Sequence, residues 1–204
     1  MKIKYIILAG ILIVLGLGLV LLPEKEQIAE ISPEKLLMEI NDPARFTSTD
    51  KVAEMIIEGD PSLLLVDTRD EASFKSYHLP GAINIPLKDV LQEYFQGYLD
   101  QEAKNIVFYS NGDIYADQAW VLCTRLGYKE MYVMKGGLNC WAETILQPPL
   151  PEETDPTEAF DLYQFRQGAS MYFGGSSHSA GSSDPAEIIT VTRKKKKNIV
   201  EGGC

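Results

Sequence analysis

The chain predicts an α/β domain built on a parallel sheet. Three observations carry that expectation. Short apolar runs, Leu63-Leu64-Leu65-Val66-Asp67 and Asn105-Ile106-Val107-Phe108-Tyr109, have the length and continuity of strands buried on both faces. Helical patterns separate these runs, so strands alternate with helices along the chain. Between Tyr109 and the helical pattern that begins near Ala116 lies a tight polar loop, Ser110-Asn111-Gly112-Asp113-Ile114-Tyr115. A strand, a tight loop and a helix aim backbone N–H groups at the loop's centre, where the helix dipole adds positive potential.

Taken in order, the chain divides into four parts. Residues 1–22 hold an uncharged, mostly apolar run from Tyr5 to Leu22, preceded by Lys2 and Lys4 and followed by Glu24, Lys25 and Glu26. As a helix this run is about 27 Å long, close to the thickness of a hydrocarbon core. The expectation is a single-pass anchor that makes the membrane a partner. Its amino terminus is cytoplasmic and the domain lies on the extracytoplasmic, periplasmic or external, side. The rival is a cleaved signal sequence, which leaves the domain on the same side. Residues 23–31 form an acidic linker, in which Ile28 to Ile31 suits a small edge strand.

Residues 32–147 carry the domain. Ser32-Pro33-Glu34 starts a helix to about Ile40 with a capping serine, a proline at the first helical position and an acid in the first turn. Asn41-Asp42-Pro43 ends it. A second helix, Thr49 to Glu58, sets Val52, Met55 and Ile56 on one face. The strand Leu63–Asp67 follows, then a brief helix from Glu71 through Phe74, a turn at His78-Leu79-Pro80-Gly81 and a strand leading to Pro86. A helix is expected from Leu87 to about Phe95. After the loop, Ala116, Ala119, Trp120, Cys123 and Leu126 recur at helical spacing. A strand from Met131 to Met134 precedes a last helix that starts at Gly136-Gly137 and ends before Pro148-Pro149.

Residues 148–204 change character to proline, acids, glycine and serine, a flexible tail within which Asp161 to Phe173 has the aromatic content to dock on the domain. The tail closes on the basic run Arg193 to Lys197 and on Gly202-Gly203-Cys204.

The net charge is −10, from 19 Lys and Arg against 29 Asp and Glu. Five of those cations sit in the terminal run, so the remainder of the chain sets 14 cations against the same acids. An acidic body excludes nucleic acid as the expected partner. Three cysteines, Cys123, Cys140 and Cys204, make no disulfide framework, although a Cys123–Cys140 bridge is one option outside the cytoplasm. No pair of them has metal-ligand spacing, and His78 and His178 stand far apart, so neither a metal nor a cofactor is expected.

Four landmarks stand in order. They are Leu65-Val66-Asp67-Thr68-Arg69, His78-Leu79-Pro80-Gly81-Ala82-Ile83-Asn84-Ile85-Pro86, Ile106 to Tyr109, and Lys135-Gly136-Gly137-Leu138-Asn139-Cys140-Trp141. In this order and spacing they resemble the rhodanese family, a sulfurtransferase superfamily. In that family the residue after the central strand is a cysteine, which carries sulfur as a persulfide or serves the related phosphatases as nucleophile. Here that position is Ser110. A serine hydroxyl cannot hold a persulfide, and without a base it is a poor nucleophile at neutral pH. The resemblance also places Tyr115 where a cation would help hold an anion, and Asp113 adds negative charge to the loop. The loop Ser110 to Tyr115 is therefore degenerate, with no residue in it named as catalytic. One option is that it only connects strand to helix, with Asp113 capping backbone N–H groups. Asp67, Arg69 and His78 are expected to hold loops rather than react, and a Ser-His-Asp arrangement on Ser110 lacks the Gly-x-Ser-x-Gly elbow.

Two functions follow. One is a sulfur-handling protein, without autonomous transfer from thiosulfate, that recognises a protein partner bearing a thiol or persulfide. Its possible sulfur carrier is Cys204, on a Gly-Gly hinge behind the basic run. The other is a non-catalytic interaction module that keeps only the rhodanese fold. The basic run itself has three readings open: a solvated tail, part of such a carrier arm, or a segment drawn to anionic lipid or to the acidic body.

Overall fold

The computed structural model describes residues 2–20, 30–101 and 103–175. Its centre is a five-stranded sheet formed by β1 (Phe46–Thr47), β2 (Leu63–Asp67), β3 (Ile83–Asn84), β4 (Asn105–Tyr109) and β5 (Met131–Met134), in the order β1-β5-β4-β2-β3. All four pairings are parallel, as the continuous apolar runs predict. β4 lies in the middle, with Val107 opposite Leu65 on one side and Tyr132 on the other.

Side chains of β4 alternate between two cores, as the pleat requires. Ile106 and Phe108 join Val66, Val133, Ala119, Trp120 and Cys123 on one face. Val107 and Tyr109 join Val52, Leu65, Leu79, Leu138 and Trp141 on the other. The first face is covered by α2 (Pro33–Asn41), α5 (Glu93–Leu99) and α6 (Ile114–Arg125), the second by α3 (Thr49–Glu58), α7 (Gly137–Trp141) and α8 (Thr157–Tyr172). α4 (Glu71–Ser76) precedes the turn into β3.

The capping signals act as their chemistry requires. Ser32 Oγ accepts from the Lys35 N–H and Ser48 Oγ from the Lys51 N–H, and Gly59 ends α3 in the left-handed conformation. Three local expectations change. β1 is too short to announce itself in sequence, and it exists because Phe46 and Thr47 pair with Val133 and Met134. The stretch from Leu87 is not one helix. A 3-10 turn over Leu87–Asp89 gives way at Gln92, whose backbone is extended, to α5. Val90 and Leu99 both enter the first core. Nine residues of continuous helix would turn them about 180° apart, so the break is what lets both face inward. In the tail region, α8 begins earlier than the aromatic stretch suggests and is regular helix over 16 residues.

The amino-terminal expectation is corrected. The chain forms α1 (Lys2–Val20), but among the described residues no helix is long and apolar enough to cross a membrane. Leu21 and Leu22 lie outside the described residues. The single-pass membrane protein expected on that span, with a cytoplasmic amino terminus and an extracytoplasmic domain, is therefore not supported. The linker's Ile28 also lies outside the described residues. Ile31 is not in a strand, although its N–H donates to the Arg125 carbonyl at 3.0 Å.

Candidate active loop

The loop between β4 and α6 is fixed from three directions. From the side, Asp67 at the end of β2 is fully buried and holds Arg69. Its carboxylate accepts from the Arg69 backbone N–H at 2.9 Å and from Nε and Nη2, the latter at 2.6 Å. The guanidinium then donates to the Tyr77 carbonyl at 2.6 Å and to Asn111 Oδ1 at 3.1 Å. A buried carboxylate and a buried guanidinium are costly apart, and the fork geometry here satisfies both. The expected loop-holding role of Asp67 and Arg69 is what the contacts show.

From below, Tyr109 anchors the end of β4. Its hydroxyl accepts from the Leu79 N–H at 3.2 Å, and its carbonyl accepts from both the N–H and the hydroxyl of Thr68. Burial, together with the neighbouring Asp67 charge, raises the phenol's pKa well above its ordinary value, so it stays neutral.

From the far side, the Gly136-Gly137 turn closes on the loop. The N–H groups of Leu138 and Asn139 donate to the carbonyls of Ser110 and Asn111, at 2.8 and 2.9 Å. Gly137 has φ +57°, and a Cβ there would lie 2.5 Å from both the Ser110 and the Gly112 carbonyl oxygens. The backbones touch, which explains the glycine.

Within this frame Ser110 is 2% exposed, and its hydroxyl donates to the Gly112 carbonyl two residues on. No base meets it. His78 sits elsewhere, donating from Nδ1 to the Phe74 carbonyl at 2.9 Å and stacking on the Phe74 ring. A Ser-His-Asp arrangement of Ser110 with His78 is therefore not assembled. Asp113 occupies the cap position of α6 but makes no side-chain capping bond, contrary to the capping role considered for it. Ile114 and Tyr115 start α6 with their side chains about half exposed. The first helical bond runs from the Asp117 N–H to the Asp113 carbonyl, so the N–H groups of Ile114 to Ala116 precede it.

One cation approaches from a direction the sequence did not announce. Arg45, just before β1, pairs with Asp117 in the first turn of α6. Its guanidinium lies 4.2 Å from the centre of the Phe46 ring and 5.0 Å from that of Trp120. Burial there lowers its pKa, and the Asp113 charge opposes the shift. No local motif links residues 45 and 117. The pairing of β1 with β5 helps to bring them together.

Cys123 is fully buried as a free thiol, and burial pushes its pKa up to about 12. The Cys123–Cys140 bridge is thus not formed. Cys140 is 7% exposed. Cys204, Gly202-Gly203 and the run Arg193–Lys197 lie outside the described residues. Among the described residues, no group of three or more His, Cys, Asp or Glu side chains is placed to hold a metal ion.

The family model described as a rhodanese-like domain matches residues 48–144. Those residues are a rhodanese-like domain. The match takes in β2 to β5, the loop and the Gly-Gly turn that closes on it. The tRNA uridine(34) hydroxylase of Yersinia pestis is 31% identical to the chain over 117 residues, which is 54% of this chain and 32% of that protein. The chain spans about a third of the length of the curated relatives it matches. Among solved structures, the BH2092 protein of Bacillus halodurans is 25% identical, covering 54% of this chain and 80% of that one, with a TM-score of 0.45. A human single-domain sulfurtransferase is 24% identical over 49% of this chain and 96% of its own, with a TM-score of 0.41. The family match ends within the π-helical turn Ala142–Leu146, and α8 lies beyond it.

Proposed function

We propose that this rhodanese-like domain does not transfer sulfur on its own, and that its loop surface recognises a protein partner carrying a thiol or persulfide. The observation behind this reading is the state of Ser110. Taken as the residue at the family's cysteine position, it offers a buried hydroxyl whose proton is already committed to the Gly112 carbonyl. The two cysteines within the described residues are buried, Cys123 completely. Asp113 at the mouth repels thiosulfate, and Asp117 neutralises the nearby Arg45. The exposed Ile114 and Tyr115 give the loop an apolar rim of the kind that contacts a protein surface. The hydroxylase activity and tRNA substrate named for the Yersinia relative are not carried over, because the match covers only a third of it and this chain is acidic.

The test is transfer of sulfur from thiosulfate to cyanide by the full chain. No turnover above background is expected, and Ser110→Cys alone restores little, since Asp113 and Tyr115 still oppose an anion. A Cys204→Ser variant run alongside reports separately on the terminal thiol as carrier. Robust turnover by the unaltered chain would refute the proposal.

A further inference from the structure

We infer that α8, which lies beyond the family match, is a releasable clamp that sets the order of the Ser110–Asp113 loop. This goes beyond the recognition reading and does not depend on it. The coupling runs through one continuous piece of backbone. At its start, α7 rests on the loop. Leu138 and Asn139 donate to the Ser110 and Asn111 carbonyls, and Gly137 packs backbone against backbone on Gly112. α7 then continues without interruption into the π-helical turn Ala142–Leu146. The other end of that turn is held by α8. Ser170, fully buried, donates from Oγ to the Leu146 carbonyl at 2.9 Å. Phe173 meets the Trp141 indole edge-on at 4.9 Å between centroids. The Gly175 N–H closes back on the Ser170 carbonyl at 2.7 Å, and a side chain at Gly175 would come within 2.5 Å of the Leu146 carbonyl.

From Gly137 to Leu146 is about 14 Å of helix, so α8 grips one end of a short rod whose other end seats the loop. A packed rod passes displacement rather than absorbing it. The turn is pinned at its middle as well, where the Thr49 and Thr144 hydroxyls meet at 2.8 Å and Thr144 donates to the Cys140 carbonyl. α3 thereby holds the rod to the domain. α8 in turn reaches α3 by one two-pronged ion pair, Arg166 Nε and Nη2 to the two Asp50 oxygens, each at 2.7 Å.

The clamp is built to release. Only Ala169 and Ser170 of α8 are buried, while Met171 and Tyr172 are largely exposed. An element with few buried apolar contacts opens more readily than the sheet beneath it. A partner that takes the α8 seat would therefore loosen the loop without touching it.

Amide hydrogen exchange on the full chain, resolved by NMR, tests this. Two variants attack different contacts. Arg166→Glu sets like charges against Asp50, and Phe173→Ala removes the edge contact with Trp141. Both should raise exchange at the Leu138 and Asn139 amides by tenfold or more. The Val107 and Leu65 amides in the central strands should keep their protection. The inference is overturned if α8 loses protection while Leu138 and Asn139 keep theirs. It is equally overturned if the strand amides loosen in step with them, because α8 would then be ordinary core.

Discussion

A methyl group at position 137 has nowhere to go. It would meet two loop carbonyl oxygens at 2.5 Å, on a backbone already at positive φ. Gly137→Ala should therefore cost about 2–4 kcal/mol in urea unfolding. Gly97→Ala is the control, since a Cβ there meets nothing within 4 Å and the position is helical. It should be neutral or add about 0.4–1 kcal/mol. Cys123 yields a pH prediction. Its folded pKa of about 12 stands above the ordinary value of 9.0, so the stability it contributes is complete below pH 9 and is lost as pH rises towards 12. Compared with Cys123→Ala, the unaltered chain should lose up to about 1.4 kcal/mol more per pH unit in that window. An identical pH slope in the two proteins would contradict the burial account. At this scale the sequence was partly transparent. Asp67 and Arg69 are two residues apart, and their pairing could be anticipated. Arg45 and Asp117 are distant in the chain, and nothing local foretells their contact. Asp113 has the chemistry of a cap, but its helical backbone, at φ −94° and ψ −16°, leaves its carboxylate without a capping bond.

Helix ends separate the signals that act from those that do not. Ser48 caps α3 through its hydroxyl, and Ser48→Ala should cost about 1 kcal/mol. Asp113→Ala loses no cap bond and should shift stability by less than about 0.5 kcal/mol. Thermal melts of the two variants decide whether the side-chain cap or the residue type matters. β2, β4 and β5 were legible as apolar runs because strands inside a parallel sheet are buried on both faces. The 3-10 turn before α5 was not, since periodicity over a few residues cannot distinguish one helix from two with a rotated seam. α8 was half visible. Its aromatics suggested docking, but its weak amphipathic pattern hid a regular helix, because its seat is Ala169 and Phe165 against the second core together with a buried serine, one ion pair and a ring edge.

For the whole molecule, the rhodanese-like architecture was legible because its landmarks are backbone necessities: a buried strand end, a Pro-Gly turn and a Gly-Gly closure. The amino-terminal apolar run suggested a membrane span, but among the described residues no helix is long and apolar enough to cross a membrane. The loop's chemistry depends on where hydroxyls and carboxylates point, which spacing does not encode. The proposed function holds that this domain does not carry sulfur on its own. Peptide-resolved mass spectrometry of the folded chain after exposure to thiosulfate tests it most directly. No persulfide is expected on Cys123, the buried free thiol of the folded chain. A persulfide on Cys123, formed while the chain remains folded, would contradict the proposal.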